Sequence, residues 1–291
     1  MTKGIILAGG YGTRLFPLTK GVSKQLLPVY DKPMIYYPLS VLMNAGIREI
    51  LIISSKNHID LFKNLLGDGY NFGIKLEYKI QNKPNGIAES FLIGEEFIGK
   101  DDVALILGDN IFHGNELKFL INKAFKNLEL KFCTIFGMQV KKPNEFGVID
   151  FNEDNSIKRI IEKPKSFISE TVVTGLYFYT NQVVEFVKKL KPSKRGELEI
   201  SDINNLFLAQ NMLKLVKLTD KIKWIDTGNF GSLINASQFI QKIEIETKKK
   251  IGCIEEIAFN KGYIDKMKLK EIAESMQSSD YGKYLLKLSG K

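Results

Sequence analysis

Apolar runs and amphipathic stretches alternate along the first half of the chain. GIILA (4–8), EILIIS (49–54), KLEYKI (75–80), VALIL (103–107) and FCTIFGMQV (132–140) are short and rich in β-branched residues, and they predict strands. Between them PLSVLMNAG, IDLFKNLLGDG, GIAESFLIGEEF and ELKFLINKAF carry helical spacing, two of them followed by glycine near the C-cap. Strands that are apolar almost throughout must be covered on both faces. The pattern therefore predicts an α/β fold: a Rossmann-like, mostly parallel open sheet with helices on both faces.

The middle of the chain is less regular. FGVIDF and IKRIIE flank the turn NEDNS and predict a hairpin, an antiparallel insertion into the sheet. VVTGLYFYT follows, then helical spacing near 181–190 and 199–212, then the strand-like LKLVKL and KIKWID. From Asn229 onward the pattern is helical to the end. No linker rich in Pro, Gly or Ser divides the chain and no repeat occurs. The expectation is one domain over 1–291, with a first half (1–130), a second half (131–240) and a helical C-terminal region (241–291).

Composition narrows the chemistry. The 291 residues are 44% apolar and 26% charged, enough for a sizeable core. No apolar run approaches the roughly 18 residues of a membrane helix. One Lys followed by GIILA is too short for a signal-peptide core, so a cytoplasmic location is expected. Cys133 and Cys253 form no CxxC pair and are expected as reduced, buried thiols. His58 and His113 lack metal-ligand spacing and read as surface or loop residues, leaving little for a zinc site or a Ser-His-Asp triad. The net charge of +9 suits nucleic acid, an anionic membrane or small phosphorylated substrates. The lysines are spread out, however, and the KKK at 248–250 reads as a solvated helix end. Small phosphorylated substrates are favoured, with neither nucleic acid nor membrane as partner.

KGIILAGGYGTRLFPLTKGVSKQLLP (3–28) carries the sharpest signal. A strand runs into Gly9, Gly10 and Gly12, yet Pro17 and Pro28 prevent one continuous helix, and Arg14, Lys20 and Lys24 crowd the same stretch. A P-loop would need GK[ST] where GTR stands, and a dinucleotide fingerprint would need glycine where Leu15 stands. What is left is a loop whose backbone amides wrap a triphosphate while Arg14 and Lys24 supply charge.

The stretch LAGGYGTRLFPLT followed by SKQLLPVYDKPMIYYPL resembles the signature of the sugar-phosphate nucleotidylyltransferases. The resemblance continues in order through LLGDG, LILGDNIF, EFGV, EKP, VTGLYFY, KPSKRGELEISDIN, WIDTG and EEIAF. It is nearest to the short forms, without an appended hexapeptide solenoid, that use dTTP and glucose 1-phosphate. It implies an Mg²⁺-dependent transfer giving dTDP-glucose and pyrophosphate, by a homo-oligomer, typically a tetramer. It also implies a nucleotide-binding first half and a sugar-phosphate-binding second half. The same chemistry with UTP or another hexose 1-phosphate is the alternative, and a non-catalytic nucleotide-sugar sensor a more distant one.

By position, the resemblance implies that Gly9, Gly12, Thr13, Arg14, Lys24, Gln25, Gln81, Gly86 and Asp109 bind the nucleotide. Asn110, Gly147, Glu162, Lys163 and Val173 would bind the sugar phosphate, and Asp109 and Asp226 the Mg²⁺. Arg14, Lys24, Lys163, Asp109 and Asp226 would carry the catalysis. Each has an ordinary alternative: a strand-ending turn for the glycines, a loop amide for Gln81, a helix-capping turn carboxylate for Asp109 or Asp226. Asp109 and Asp226 each end an apolar strand, so one parallel sheet is expected to bring both to the same edge. Trp224 is read as site wall or core. PNGIAESF stands where many relatives have PDGLAQAF, and Phe146 where many have Tyr. The resemblance further implies a second, product-binding site between subunits near FHGNEL and CIEEIAFNKG. There His113, Asn115 and Asn260 depart from the FYGH and EEIAFRKG of many relatives.

Overall fold

A computed structural model describes residues 1–290. Thirteen strands form among them: β1 (Thr2–Ala8), β2 (Pro28–Val29), β3 (Lys32–Pro33), β4 (Glu49–Ser54), β5 (Lys75–Ile80), β6 (Asp102–Leu107), β7 (Asn110–His113), β8 (Cys133–Gln139), β9 (Gly147–Phe151), β10 (Ile157–Glu162), β11 (Thr171–Tyr179), β12 (Leu213–Lys217) and β13 (Lys223–Asp226). The main sheet runs β10-β9-β11-β6-β1-β4-β5, with β8 also on β11 and β12 on β8. The strands β5, β4, β1 and β6 are mutually parallel. β11 runs antiparallel to β6, β8 and β9, and the expected hairpin is β9–β10.

Alternation along the parallel strands serves two cores. Ile6 and Ile52 join Leu39 and Leu42 of helix Tyr36–Asn44 on one face, with Leu120 of helix Leu117–Glu129 and Leu269 and Leu285 of the C-terminal helices. Ile5 and Leu51 face Phe91, Val187 and Phe207 on the other. Both cores draw residues from before and after position 130.

A third apolar cluster underlies the glycine loop. Leu15, Leu27 and Val29 pack with Ile111 and with Ala236 and Ile240 of helix Phe230–Thr247. The loop itself makes three short 3₁₀ turns, Thr13–Leu15, Leu18–Lys20 and Lys24–Leu26, in place of one helix. Gly12 begins the first of them at φ 63°, a left-handed conformation that glycine adopts without steric cost.

Three expectations need revision. β13 is not in the main sheet: it pairs antiparallel with β7 in a separate ribbon, which sets Asp226 opposite Asn110. Asp226 thus reaches Asp109 across that ribbon and not along a parallel sheet edge. Lys250 does not belong to a solvated helix end. Its ammonium turns inward to Glu244 Oε2 at 2.9 Å and to Asp31, while Lys32 reaches the other Glu244 oxygen at 3.0 Å. Burying two carboxylates with two ammoniums satisfies both, and the cluster ties helix Phe230–Thr247 to the β2–β3 turn. His113 lies in strand β7 and not in a loop, half-buried and edge-on to Phe239, and burial lowers its pKa. The thiols of Cys133 and Cys253 are free and buried, as expected, and burial pushes Cys133 up to about 12.

Candidate functional site

Parallel strands end together, and ligands of open α/β sheets bind beyond those ends. Here Gly9 follows β1, Gln81 follows β5 and Asp109 lies two residues past β6. Two small cavities open at this edge. One, of about 180 Å³, is lined by Gly10, Gly12, Thr13, Arg14, Lys24, Gln25, Asp109 and Gly228. The other, of about 200 Å³, includes Arg14, Asp109, Asn110, Gly147, Glu162, Lys163, Val173, Trp224 and Asp226. Arg14 and Asp109 line both. Larger hollows exist elsewhere, but none of Asp109, Glu162, Asp226 or the glycine loop lines them.

Asp109 is held from several sides. Lys24 Nζ lies 2.5 Å from its Oδ2, and Asn110 Nδ2 donates to its Oδ1 at 3.0 Å. The Thr227 hydroxyl and amide both donate to its backbone carbonyl, at 2.8 and 3.2 Å. Burial pushes its carboxyl pKa up, but the Lys24 charge and hydrogen bond outweigh burial and hold it below the usual value. Asp226 goes the other way: burial first, then the charge of Asp109, push it up to about 6. Two carboxylates of opposite tendency, close enough to shift each other's charge, fit an oxygen-seeking dication whose shell other oxygens would complete. Among the described residues no group of three or more His, Cys, Asp or Glu side chains could hold a metal on its own.

Asn110 is wired into the protein by its oxygen. Oδ1 accepts from Trp224 Nε1 at 2.6 Å and from the Gly175 amide at 3.2 Å. A Cβ on Gly175 would lie 2.5 Å from that oxygen, so the approach requires glycine. Trp224 therefore belongs to the site wall, with its ring 5.3 Å from that of Phe146.

At the wall of the second cavity Glu162 ends β10 and accepts from Ser201 Oγ at 2.6 Å. Arg195 Nη1 lies 3.6 Å from Glu162 and 3.3 Å from Glu199. Burial raises the Glu162 pKa, while the Ser201 hydrogen bond and the charges of Lys163 and Arg195 oppose the rise. Lys163 adopts φ 41°, rare for a side-chain-bearing residue, with its amide held by the Phe146 carbonyl at 3.0 Å. That turn directs the chain out of the sheet before Pro164.

Gly9, Gln81 and Gly86 line neither small cavity and form a neighbouring cluster at the β1 and β5 ends. Gln25 is buried, accepts from Ser23 Oγ at 2.7 Å and packs on Gly108. Ser201, Arg195, Gly175 and Thr227 were not singled out from the sequence. They lie in KPSKRGELEISDIN, VTGLYFY and WIDTG, in which no single residue stands out by type or spacing.

The nucleotidyl transferase family profile matches residues 3–243. A glucose-1-phosphate thymidylyltransferase of Neisseria meningitidis is 52% identical over 289 residues, covering 99% of this chain and 100% of that one. Among solved structures, a sucrose complex of a Bacillus anthracis protein provisionally assigned to the same enzyme superposes with a TM-score of 0.75 at 40% identity. It covers 82% of this chain and 95% of its own. A UDP-glucose pyrophosphorylase bound to UDP-glucose superposes at 0.72 with 26% identity, over 84% of this chain and all of its own.

Proposed function

The chain belongs to the nucleotidyl transferase family and is a nucleotidyltransferase, and from that premise we propose that it transfers a thymidylyl group from dTTP to glucose 1-phosphate. The products are dTDP-glucose and pyrophosphate. The observation that carries this reading is the meeting of a glycine-loop cavity and a carboxylate-rich cavity at Arg14 and Asp109. Two polyanions brought to one point need charge neutralisation more than a base.

A sugar phosphate is already anionic near neutral pH. One of its oxygens attacks the α-phosphorus, the bond to the bridging oxygen breaks, and pyrophosphate leaves with that electron pair. Gly9, Gly12 and Thr13 cradle the triphosphate, and Gln25, Gln81 and Gly86 meet the base. Arg14, placed between the cavities, and Lys24 take up charge on the departing pyrophosphate. Lys163 holds the sugar phosphate, with Gly147, Val173 and Asn110 shaping the pocket. Glu162, aimed by Ser201, accepts from sugar hydroxyls. Asp109 and Asp226 would hold Mg²⁺, which when bound lowers the repulsion between the approaching phosphates.

The chain acts as one catalytic domain, since both cores are shared across its halves. Among the described residues no helix is long and apolar enough to cross a membrane. The sequence resemblance further implies a homotetramer, and a cytoplasmic location is proposed with it. The likeness to a UDP-glucose pyrophosphorylase favours UTP as the second nucleotide to test.

Pyrophosphate release, measured across a grid of nucleoside triphosphates and sugar 1-phosphates, tests the reading. With glucose 1-phosphate, dTTP should give the highest kcat/KM, UTP a lower one, and ATP and GTP little turnover. A purine triphosphate at the head of the series overturns the reading; no release with any pair would indicate a binding protein instead.

His113, Asn115, Lys250 and Asn260 line one hollow of about 650 Å³, so the two segments expected at a second site do meet. Asn260→Arg adds a charge-assisted hydrogen bond to an anionic effector there, a gain of about 1.5–3 kcal/mol. Inhibition by dTDP-rhamnose should tighten at least tenfold, by about that energy, in this variant. An unchanged inhibition constant would show that position 260 does not face the effector.

A further inference from the structure

Gln81 is 3% exposed, and the nitrogen of its side-chain amide is committed within the protein. Nε2 donates to Glu89 Oε2 at 2.7 Å and, more weakly, to the Gly86 carbonyl at 3.4 Å. The other Glu89 oxygen accepts from Asn85 Nδ2 at 2.8 Å. The amide oxygen of Gln81 turns the opposite way, against Gly9: a Cβ built there would lie 2.1 Å from Oε1. A carboxylate only accepts hydrogen bonds, so it sets the polarity of both bonds it makes. A flipped Gln81 would oppose its oxygen to a carboxylate oxygen and to a carbonyl. The flip is closed.

We propose that Glu89 is a specificity-determining positioning residue. Through the Asn85–Glu89–Gln81 relay it leaves Gln81 only an acceptor to show the nucleotide loop, which selects a pyrimidine presenting a ring N–H. Uracil and thymine carry a proton on N3 that the Gln81 oxygen accepts. Cytosine has a bare N3, whose lone pair would face that oxygen. This rests on the reading above that Gln81 meets the base.

The relay makes a distinctive demand. After Glu89→Gln, all three side chains are amides, and the whole row can reverse its polarity at the cost of the long Gly86 bond. Gln81 could then offer its NH₂ to cytosine. Adding Asn85→Asp restores an acceptor-only end: the new amide at position 89 must donate to the new carboxylate at position 85, which turns the amide oxygen to Gln81. A carboxylate at either position therefore fixes the same outcome.

The test compares dUTP with dCTP, which share a sugar and lack the 5-methyl group, so that only the pairing edge differs. Ratios of kcat/KM, and calorimetric affinities of dUMP and dCMP, are measured for the unaltered protein, for Glu89→Gln, and for Glu89→Gln combined with Asn85→Asp. Glu89→Gln should cut discrimination against cytosine by about tenfold or more, and the double variant should restore it. If Glu89→Gln does not fold, Glu89→Met, which offers Gln81 no strong acceptor, should give the same loss. An unchanged ratio in a folded single variant, or a double variant no better than Glu89→Gln, overturns the proposal. An unaltered protein that uses neither pyrimidine refutes the base-pocket reading itself, and is told apart by having no pyrimidine preference to relax.

Discussion

Asp109→Asn and Asp226→Asn should each lower turnover by about 10²-fold or more, as expected for losing one preorganised electrostatic group. Asparagine keeps the shape and one acceptor oxygen of each side chain and removes the charge. The β7–β13 ladder sets Asp226 opposite Asn110, and Thr227 bonds the Asp109 carbonyl, so the two carboxylates are fixed relative to each other by backbone. If they share one Mg²⁺, either change disables a single unit. The double variant should then be little worse than the worse single variant. Losses that multiply independently argue against a shared ion, and full turnover in excess EDTA would sink it.

The same pair makes a stability prediction of opposite sign. Asp226 has its pKa raised from 3.8 to about 6 by burial and by Asp109. A raised carboxylate pKa stabilises the fold fully below the unfolded value and loses that contribution as pH rises through the folded one. Without metal, the unaltered protein should therefore lose thermal stability between about pH 4 and 6. Asp226→Asn should flatten that part of the profile, and its metal-free midpoint at pH 7.5 should hold or rise while activity collapses. A midpoint that falls at pH 7.5 would mean that the carboxylate is needed for folding.

The fold was legible because its strongest signal is local. Five apolar runs at strand length, with helical spacing between them, leave little choice but a covered sheet, and the parallel strand ends gather Gly9, Gln81 and Asp109. Asp226 was legible as a strand end but not by its route, because KIKWID looks like any other apolar strand. Only its pairing with β7, more than a hundred residues away, separates a two-stranded ribbon from a place in the main sheet. The wiring of polar side chains was the least legible part. Ser201 to Glu162, Trp224 to Asn110 and Lys250 to Glu244 are hydrogen bonds between residues of common types, and no periodicity marks them. The exchange of acid and amide at Asn85 and Glu89 was visible in the sequence as a departure. Its effect, one carboxylate orienting two amides, appears only with the distances.

Lys24→Met is expected to abolish at least as much activity, about 10²-fold, and to expose how the two carboxylates are tolerated. Lys24 is nearly buried, 7% exposed, against an Asp109 side chain that is 22% exposed. Methionine fills similar volume, so packing changes little while the charge goes. Removing one partner of a buried ion pair leaves the other uncompensated, a loss of about 3 kcal/mol or more. In the unaltered protein Asp109 is held below its usual pKa, so its contribution is present above about 4 and lost only as pH falls further. Without Lys24, only the Asn110 and backbone hydrogen bonds oppose burial and the neighbouring Asp226, which push Asp109 above that value. Its contribution then reverses: stability is greatest in acid and is lost as pH rises. The gap in unfolding midpoint between the two proteins should be smallest in acid, widen as Asp109 of the variant ionises, and hold its size from there to pH 8. Millimolar Mg²⁺ should narrow the gap at pH 8 without restoring turnover, because a cation between the carboxylates replaces the missing charge but not the clamp on the phosphates. A gap of the same size in acid as at pH 8 would show that Lys24 contributes packing alone.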